Sequence, residues 1–128
     1  MPFDPGVGKP EIDFPEDPAP SELVIEDLWE GDGALAQAGH VVSAHYVGVA
    51  HSTGEEFDSS WNRGAPLDFP LGGGRVIAGW DQGIVGMKVG GRRRLVIPSR
   101  LAYGDQGAGN VIAPGESLIF VVDLVDVR

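Results

Sequence analysis

Apolar and polar positions alternate along most of this chain, and a period of two predicts strands rather than helices. Leu23, Val24 and Ile25 begin a first strand that ends near the turn signal Gly31-Asp32-Gly33. Residues 40–50 are rich in β-branched and aromatic side chains, with Val41, Ser43, His45 and Val47 on one face and Val42, Ala44 and Tyr46 on the other. Ser52-Thr53-Gly54 reads as a turn, and short strands follow at 56–59 and 67–71. Strands at 92–97 and 117–127 close the set, the last being the most apolar stretch of the chain.

One segment follows a helical period. Over residues 79–87, Trp80, Ile84 and Met87 fall on one side, while Gly83 and Gly86 lower the intrinsic propensity. Such a helix must be held by packing. Many antiparallel strands with one short helix against a sheet face predict an α+β fold.

Composition agrees with this reading. The chain has 128 residues, enough for one domain with a true core, and its 20 glycines and 10 prolines favour turns over long helices. Zero cysteines remove disulfides, thiol nucleophiles and cysteine-ligated metals. No apolar run approaches the roughly 20 residues of a membrane-spanning helix. Residues 1–20 have neither a basic start nor an apolar stretch, so no signal peptide is expected, and the expectation is a soluble, cytoplasmic, monomeric protein.

Charge is concentrated at one end. Residues 1–32 carry ten acids against Lys9, whereas the remaining 96 carry nine acids and eight bases. Six of the ten prolines lie within residues 1–20, which predicts an extended acidic arm preceding a domain at 21–128. Phe3, Ile12 and Phe14 could pin that arm to the domain surface. An acidic chain is a poor nucleic-acid binder, and Arg92-Arg93-Arg94 on a strand point to alternating faces rather than forming one patch.

Several chemistries fail on spacing. Gly72-Gly73-Gly74-Arg75 lacks the lysine and hydroxyl of a phosphate loop. The glycines between 104 and 109 stand outside any βαβ frame. His40, His45 and His51 differ in strand parity, so they cannot converge on a metal. There is no Gly-x-Ser-x-Gly elbow. No cofactor is called for.

What remains is a set of aromatic and apolar residues beside turns: Tyr46, Phe57-Asp58-Ser59-Ser60, Val76-Ile77-Ala78-Gly79-Trp80, Leu101-Ala102-Tyr103-Gly104 and Leu118-Ile119-Phe120. In this order and spacing they resemble the FKBP-type peptidyl-prolyl cis/trans isomerases, the family that binds tacrolimus and rapamycin, over about residues 22–127. The resemblance implies an antiparallel sheet wrapped around one short helix, with an apolar cleft between them. It implies Trp80 as the floor, with Tyr46, Phe57, Val76, Ile77 and Phe120 as walls. Asp58 and Tyr103 would be polar groups at the mouth, the latter and the Ile77 N–H holding substrate carbonyls. Arg63 would hold Asp58 and Tyr46, and Val111 and Ile112 would belong to a flap.

Each residue also has a plainer reading. Trp80, Phe57, Phe120, Val76 and Ile77 fit an ordinary core; Asp58 before two serines fits a turn or helix cap; Arg63 fits a solvated charge. Three positions depart from the family pattern. Leu67 stands where an aromatic wall is common, so the wall should be smaller and macrolide affinity lower. Ala108 trims the flap, and Arg75 replaces an acidic or amide side chain at a position whose family role runs through its backbone carbonyl. Two functions stay open: an isomerase acting on proline-containing peptides and unfolded chains, or a non-catalytic, chaperone-like binding module using the same cleft.

Overall fold

The computed structural model describes residues 9, 10, 12, 18–108 and 112–128. Most of the acidic arm and Val111 of the expected flap lie outside the described residues. Among the described residues, six strands form one antiparallel sheet: β1 (Val24–Trp29), β2 (Val41–Ala50), β3 (Glu56–Ser59), β4 (Leu67–Pro70), β5 (Arg92–Ile97) and β6 (Leu118–Val127). The spatial order is β1-β5-β6-β2-β3, and β4 pairs with the first half of β2, beside the part of that strand that β3 covers. The expected α+β architecture is observed, with strand ends within a residue or two of those read from the alternation.

The two faces of β2 part as its pattern requires. Val42, Ala44 and Tyr46 enter the main core with Trp80, Leu95 and Phe120, whereas Val49 joins a smaller outer cluster with Val96 and Ile119. Ile12 packs against that outer cluster, and Lys9 pairs with Glu56 at 2.8 Å, so the described part of the arm lies on the back of the sheet.

The helix is shorter than expected. α2 spans Ala78–Gly83 rather than running to Met87. Arg93 Nη1 donates to the carbonyls of Gly83 (2.8 Å) and Val85 (3.1 Å), satisfying the groups a helix leaves open at its C-terminus, and Gly86 then turns the chain at φ 94°. Trp80, Ile84 and Met87 are nonetheless all buried. The helix lies unusually close to the sheet because it offers glycine there: a Cβ on Gly79 would sit 2.5 Å from Ile97, and one on Gly83 would sit 2.8 Å from Leu95. Residues that weaken the helix in isolation are those that let it dock.

Two of the three consecutive arginines lie in different environments. Arg92 forms a buried ion pair with Asp123 at 2.6 Å and lies over the Trp29 ring, while Arg93 reaches Asp27 at 2.7 Å and the end of α2. Neither is left to make a basic patch.

Candidate active site

A cleft of about 250 Å³ opens where the concave sheet face, α2 and the loops after β4 and β5 meet. Tyr46 comes from β2, Phe57 and Asp58 from β3, Leu67 from β4 and Phe120 from β6. Arg75, Val76 and Ile77 form the loop entering α2, Trp80 is on the helix itself, and Tyr103 stands between two single 3-10 turns.

The apolar part is a cage of rings. Trp80 meets Tyr46 edge-on at 4.8 Å and Phe120 at 5.1 Å, and Phe57 meets Phe120 at 5.5 Å, all in T-shaped geometry. Gly48 makes room for it, since a Cβ there would lie 2.6 Å from Phe120 and 2.7 Å from Phe57. The rings are therefore held by one another and by a strand backbone that leaves no slack.

The polar rim is a closed triangle. Tyr46 donates its hydroxyl to Asp58 Oδ2 at 2.6 Å; Arg63 donates from Nη1 to Asp58 Oδ1 at 2.8 Å and from Nη2 to the Tyr46 hydroxyl at 2.7 Å. Burial, and then the hydrogen bond to Asp58, push the Tyr46 hydroxyl above its ordinary value, so it remains a donor. Burial, followed by the negative charge of Asp58, does the same for Tyr103, which is 40% exposed at the mouth. The Arg63 pKa is raised first by its bond to Tyr46.

Local structure explains why Arg63 arrives there. It ends α1 (Ser60–Arg63), a single turn that is capped at its start by Ser59, whose hydroxyl accepts from the Trp61 N–H, and closed by Gly64 in the left-handed region. The cap is thus Ser59 rather than Asp58, which frees Asp58 for the rim. Ser60, fully buried, accepts from the Tyr46 N–H at 2.7 Å and fixes the turn to β2.

The structure brings Tyr46, Phe57, Asp58, Leu67, Val76, Ile77, Trp80, Tyr103 and Phe120 together around one cleft, with Arg63 behind the rim. Ile112 stands in the segment after Tyr103 where the flap was expected, pairing with Ala108, and is buried in the same core as Tyr46, Trp80 and Phe120, but it is not among the residues that line the cleft. Sequence reasoning assigned no wall position to Arg75, which lines the cleft, and missed Ser60 and Asp81. Asp81 Oδ1 and Oδ2 accept from the backbone N–H groups of Gly72 (2.8 Å) and Gly74 (2.9 Å). The signal available was a run of three glycines leading into a wall, which needs an anchor from outside itself. His45 stacks on Trp61 at 4.2 Å and bonds Ser60 at 2.9 Å; among the described residues no cluster of three or more His, Asp or Glu side chains is placed to hold a metal.

Residues 33–125 match the family model for FKBP-type peptidyl-prolyl cis-trans isomerases. The chain is 69% identical over 122 residues to an FK506-binding protein of Streptomyces anulatus, covering 94% of this chain and 98% of that one. It is 54% identical over 93 residues to the peptidyl-prolyl cis-trans isomerase FPR2 of Saccharomyces cerevisiae, covering 73% and 69% of the two chains. Among solved structures, AtFKBP13 superposes with a TM-score of 0.75 at 43% identity, over 86% of this chain and 96% of that one. FkpA from Escherichia coli gives the same TM-score at 40% identity, over 83% of this chain and 48% of that one.

Proposed function

This chain belongs to the FKBP-type peptidyl-prolyl cis-trans isomerase family and isomerises Xaa-Pro bonds, and from that premise we propose that the aromatic cleft is where the bond turns. The observation that carries the assignment is the joining of two things in one cavity: a cage of rings centred on Trp80 and a rim whose three polar groups are mutually satisfied.

Isomerisation needs no nucleophile. Rotation must break amide resonance, a barrier of roughly 18–20 kcal/mol. In the twisted state the nitrogen has lost its conjugation, and the bond is less polar than in the planar amide. Dry aromatic walls penalise the planar state more than the twisted one, and that difference lowers the barrier. The proline ring rests on Trp80, a burial worth on the order of 2 kcal/mol. The Ile77 N–H and the Tyr103 hydroxyl hold the flanking carbonyls while the bond turns. Asp58, aimed by Arg63 and Tyr46, accepts from the peptide.

Because the cleft reads mainly a ring and one neighbour, its substrates are proline-containing peptides and unfolded chains of broad sequence. We assign FK506 (tacrolimus) and rapamycin to the same cleft, with Leu67 giving a shorter wall and weaker macrolide binding. A monomer is supported by the edge strand β1, where the exposed Glu26 and the register shift between Asp27 and Trp29 oppose edge-to-edge pairing of two copies. A cytoplasmic location completes the reading and is tested by cell fractionation.

The test is catalysed cis-to-trans conversion of short Xaa-Pro peptides with and without FK506. Acceleration that the macrolide abolishes supports one shared cleft. Acceleration that a bound macrolide leaves untouched separates the two sites and sinks the assignment.

A further inference from the structure

The loop after β4 carries one wall of the cleft on a run of glycines. It runs through Gly72, Gly73 and Gly74, of which the first and third hold φ of 81° and 73°, and a Cβ on Gly74 would touch nothing. Three glycines in a row give a segment of high conformational freedom with no side chain to pin it. The same loop ends in Arg75, Val76 and Ile77, which form one wall, and Ile77 is the residue assigned to hold a substrate carbonyl.

Leu71 anchors the start of this loop through bonds to Gly39 and His40, and beyond it a carboxylate on α2 restrains the glycines. Asp81 accepts from the N–H groups of Gly72 and Gly74, one with each oxygen, across a reach of nine and seven residues. Asp81 is the neighbour of Trp80 on α2, and its own N–H, like that of Trp80, donates to the Ile77 carbonyl, at 3.2 and 2.9 Å. Floor and wall are thereby tied at both ends of the loop.

We propose that Asp81 is a positioning residue of the isomerase site: its carboxylate locks the glycine loop so that the Val76–Ile77 wall stands at a fixed distance from the Trp80 floor. The inference rests on the cleft assignment above. It touches no substrate itself. Its effect comes through the Ile77 amide, which must meet a carbonyl while the proline ring is held on Trp80, and small misplacements of such a group are expensive. Asparagine is the discriminating replacement. It keeps the shape but offers one acceptor and turns an N–H₂ donor toward a backbone N–H, so only one of the two bonds can be kept.

The experiment compares the wild type, Asp81→Asn, Asp81→Glu and Trp80→Leu in peptide isomerisation, with amide hydrogen exchange at Gly72 and Gly74. For Asp81→Asn the expected loss in kcat/KM is about tenfold and falls mainly on kcat, because the floor still binds the ring. Asp81→Glu, which keeps both acceptors on a longer arm, should recover part of it. Ile119→Val, in the outer cluster away from the cleft, should leave kcat/KM unchanged. Exchange at the two glycine amides should be slow in the wild type and fast in Asp81→Asn. An Asp81→Asn protein as active as the wild type, alongside a crippled Trp80→Leu, overturns the inference alone. A fully active Trp80→Leu overturns the cleft assignment and the inference with it. If Asp81→Asn does not fold, fast exchange of both amides in the wild type, or a Glu variant no better than other replacements, overturns the inference.

Discussion

Arg63 donates to the Tyr46 hydroxyl at 2.7 Å while its other terminal nitrogen holds Asp58 at 2.8 Å, and it sits 5.5 Å from the centre of the Tyr46 ring. The guanidinium is half-exposed, so the contact contributes orientation more than stability. Arg63→Leu should therefore lower stability by less than about 1 kcal/mol. It should reduce kcat/KM by about tenfold through a misaimed Asp58. Urea unfolding and peptide isomerisation measured on the same preparation check both halves. A large stability loss with full activity would mean that the triangle is structural only.

Gly48 is silent in the chemistry yet sets its shape. The Cβ of Gly48→Ala would meet the Phe120 and Phe57 rings at 2.6 and 2.7 Å, and neither ring can retreat without disturbing Trp80 or Tyr46. Overpacking of this kind costs about 1–3 kcal/mol. Here it should also raise KM for short proline peptides several-fold, since the wall moves into the space for the ring. An unchanged KM would show that the cleft tolerates shifted walls.

On the back of the sheet, His45, Asp123 and Arg92 stand opposite one another across β2, β6 and β5. Arg92 and Asp123 are both nearly inaccessible. Asp123→Ala removes the buried carboxylate that balances the Arg92 charge and should cost about 3–5 kcal/mol. Isomerase activity of the folded fraction should match the wild type, because no cleft residue is touched. Chemical denaturation with parallel activity measurements below the transition decides it.

His45 gives the fold an acid sensitivity. Burial against Trp61 and Ser60 lowers its pKa, a shift partly offset by the negative charge of Asp123. The unfolded chain, with an ordinary value near 6.5, then binds a proton more readily than the folded one. Its contribution to stability is complete above 6.5 and is lost as the pH falls from there toward the depressed folded value. Asp123 acts in the opposite sense. Burial raises its carboxyl despite Arg92, so its contribution is full below 3.8 and lost as pH rises through the raised value. Unfolding midpoints between pH 7.5 and 5 should fall for the wild type and flatten in His45→Gln. An equal fall in both proteins would assign the sensitivity elsewhere.

The arm gives a fifth contrast. Lys9 reaches Glu56 on β3 and Asn62 on α1, the elements that also carry Asp58 and Arg63, but it does so from the outer side. Such exposed contacts are worth at most about 1 kcal/mol, so deleting residues 1–20 should leave kcat/KM within about twofold of the intact chain. A large drop would show that the arm shapes β3 and through it the rim.

Strands were legible in the sequence because burial on one sheet face imposes a period of two, and β2 reads the same by pattern and by packing. The end of α2 was not, because it is decided by Arg93, a residue ten positions away whose reach to the Gly83 carbonyl no local pattern encodes. Gly79 and Gly83 show the same limit: propensity marks them as helix-weakening, whereas their use is the close approach to Ile97 and Leu95. In the cleft, the wall residues and the support Arg63 could be named from the family order, but the supports Ser60 and Asp81 could not. Ser60 and Asp81 act through backbone N–H groups, which leave no complementary residue type to search for. Ile112 holds the expected flap position, but its side chain is buried in the core, a direction that depends on how a narrow loop turns.

The most direct test of the site is an amide map of the labelled protein titrated with a short Xaa-Pro peptide. The account predicts the largest shift changes at the backbone N–H groups of Val76 and Ile77 and at the Trp80 indole, with Val96 and Ile119 on the outer face unmoved. Changes centred on that outer face, or a cleft left unmoved while the peptide is still turned over, would contradict it.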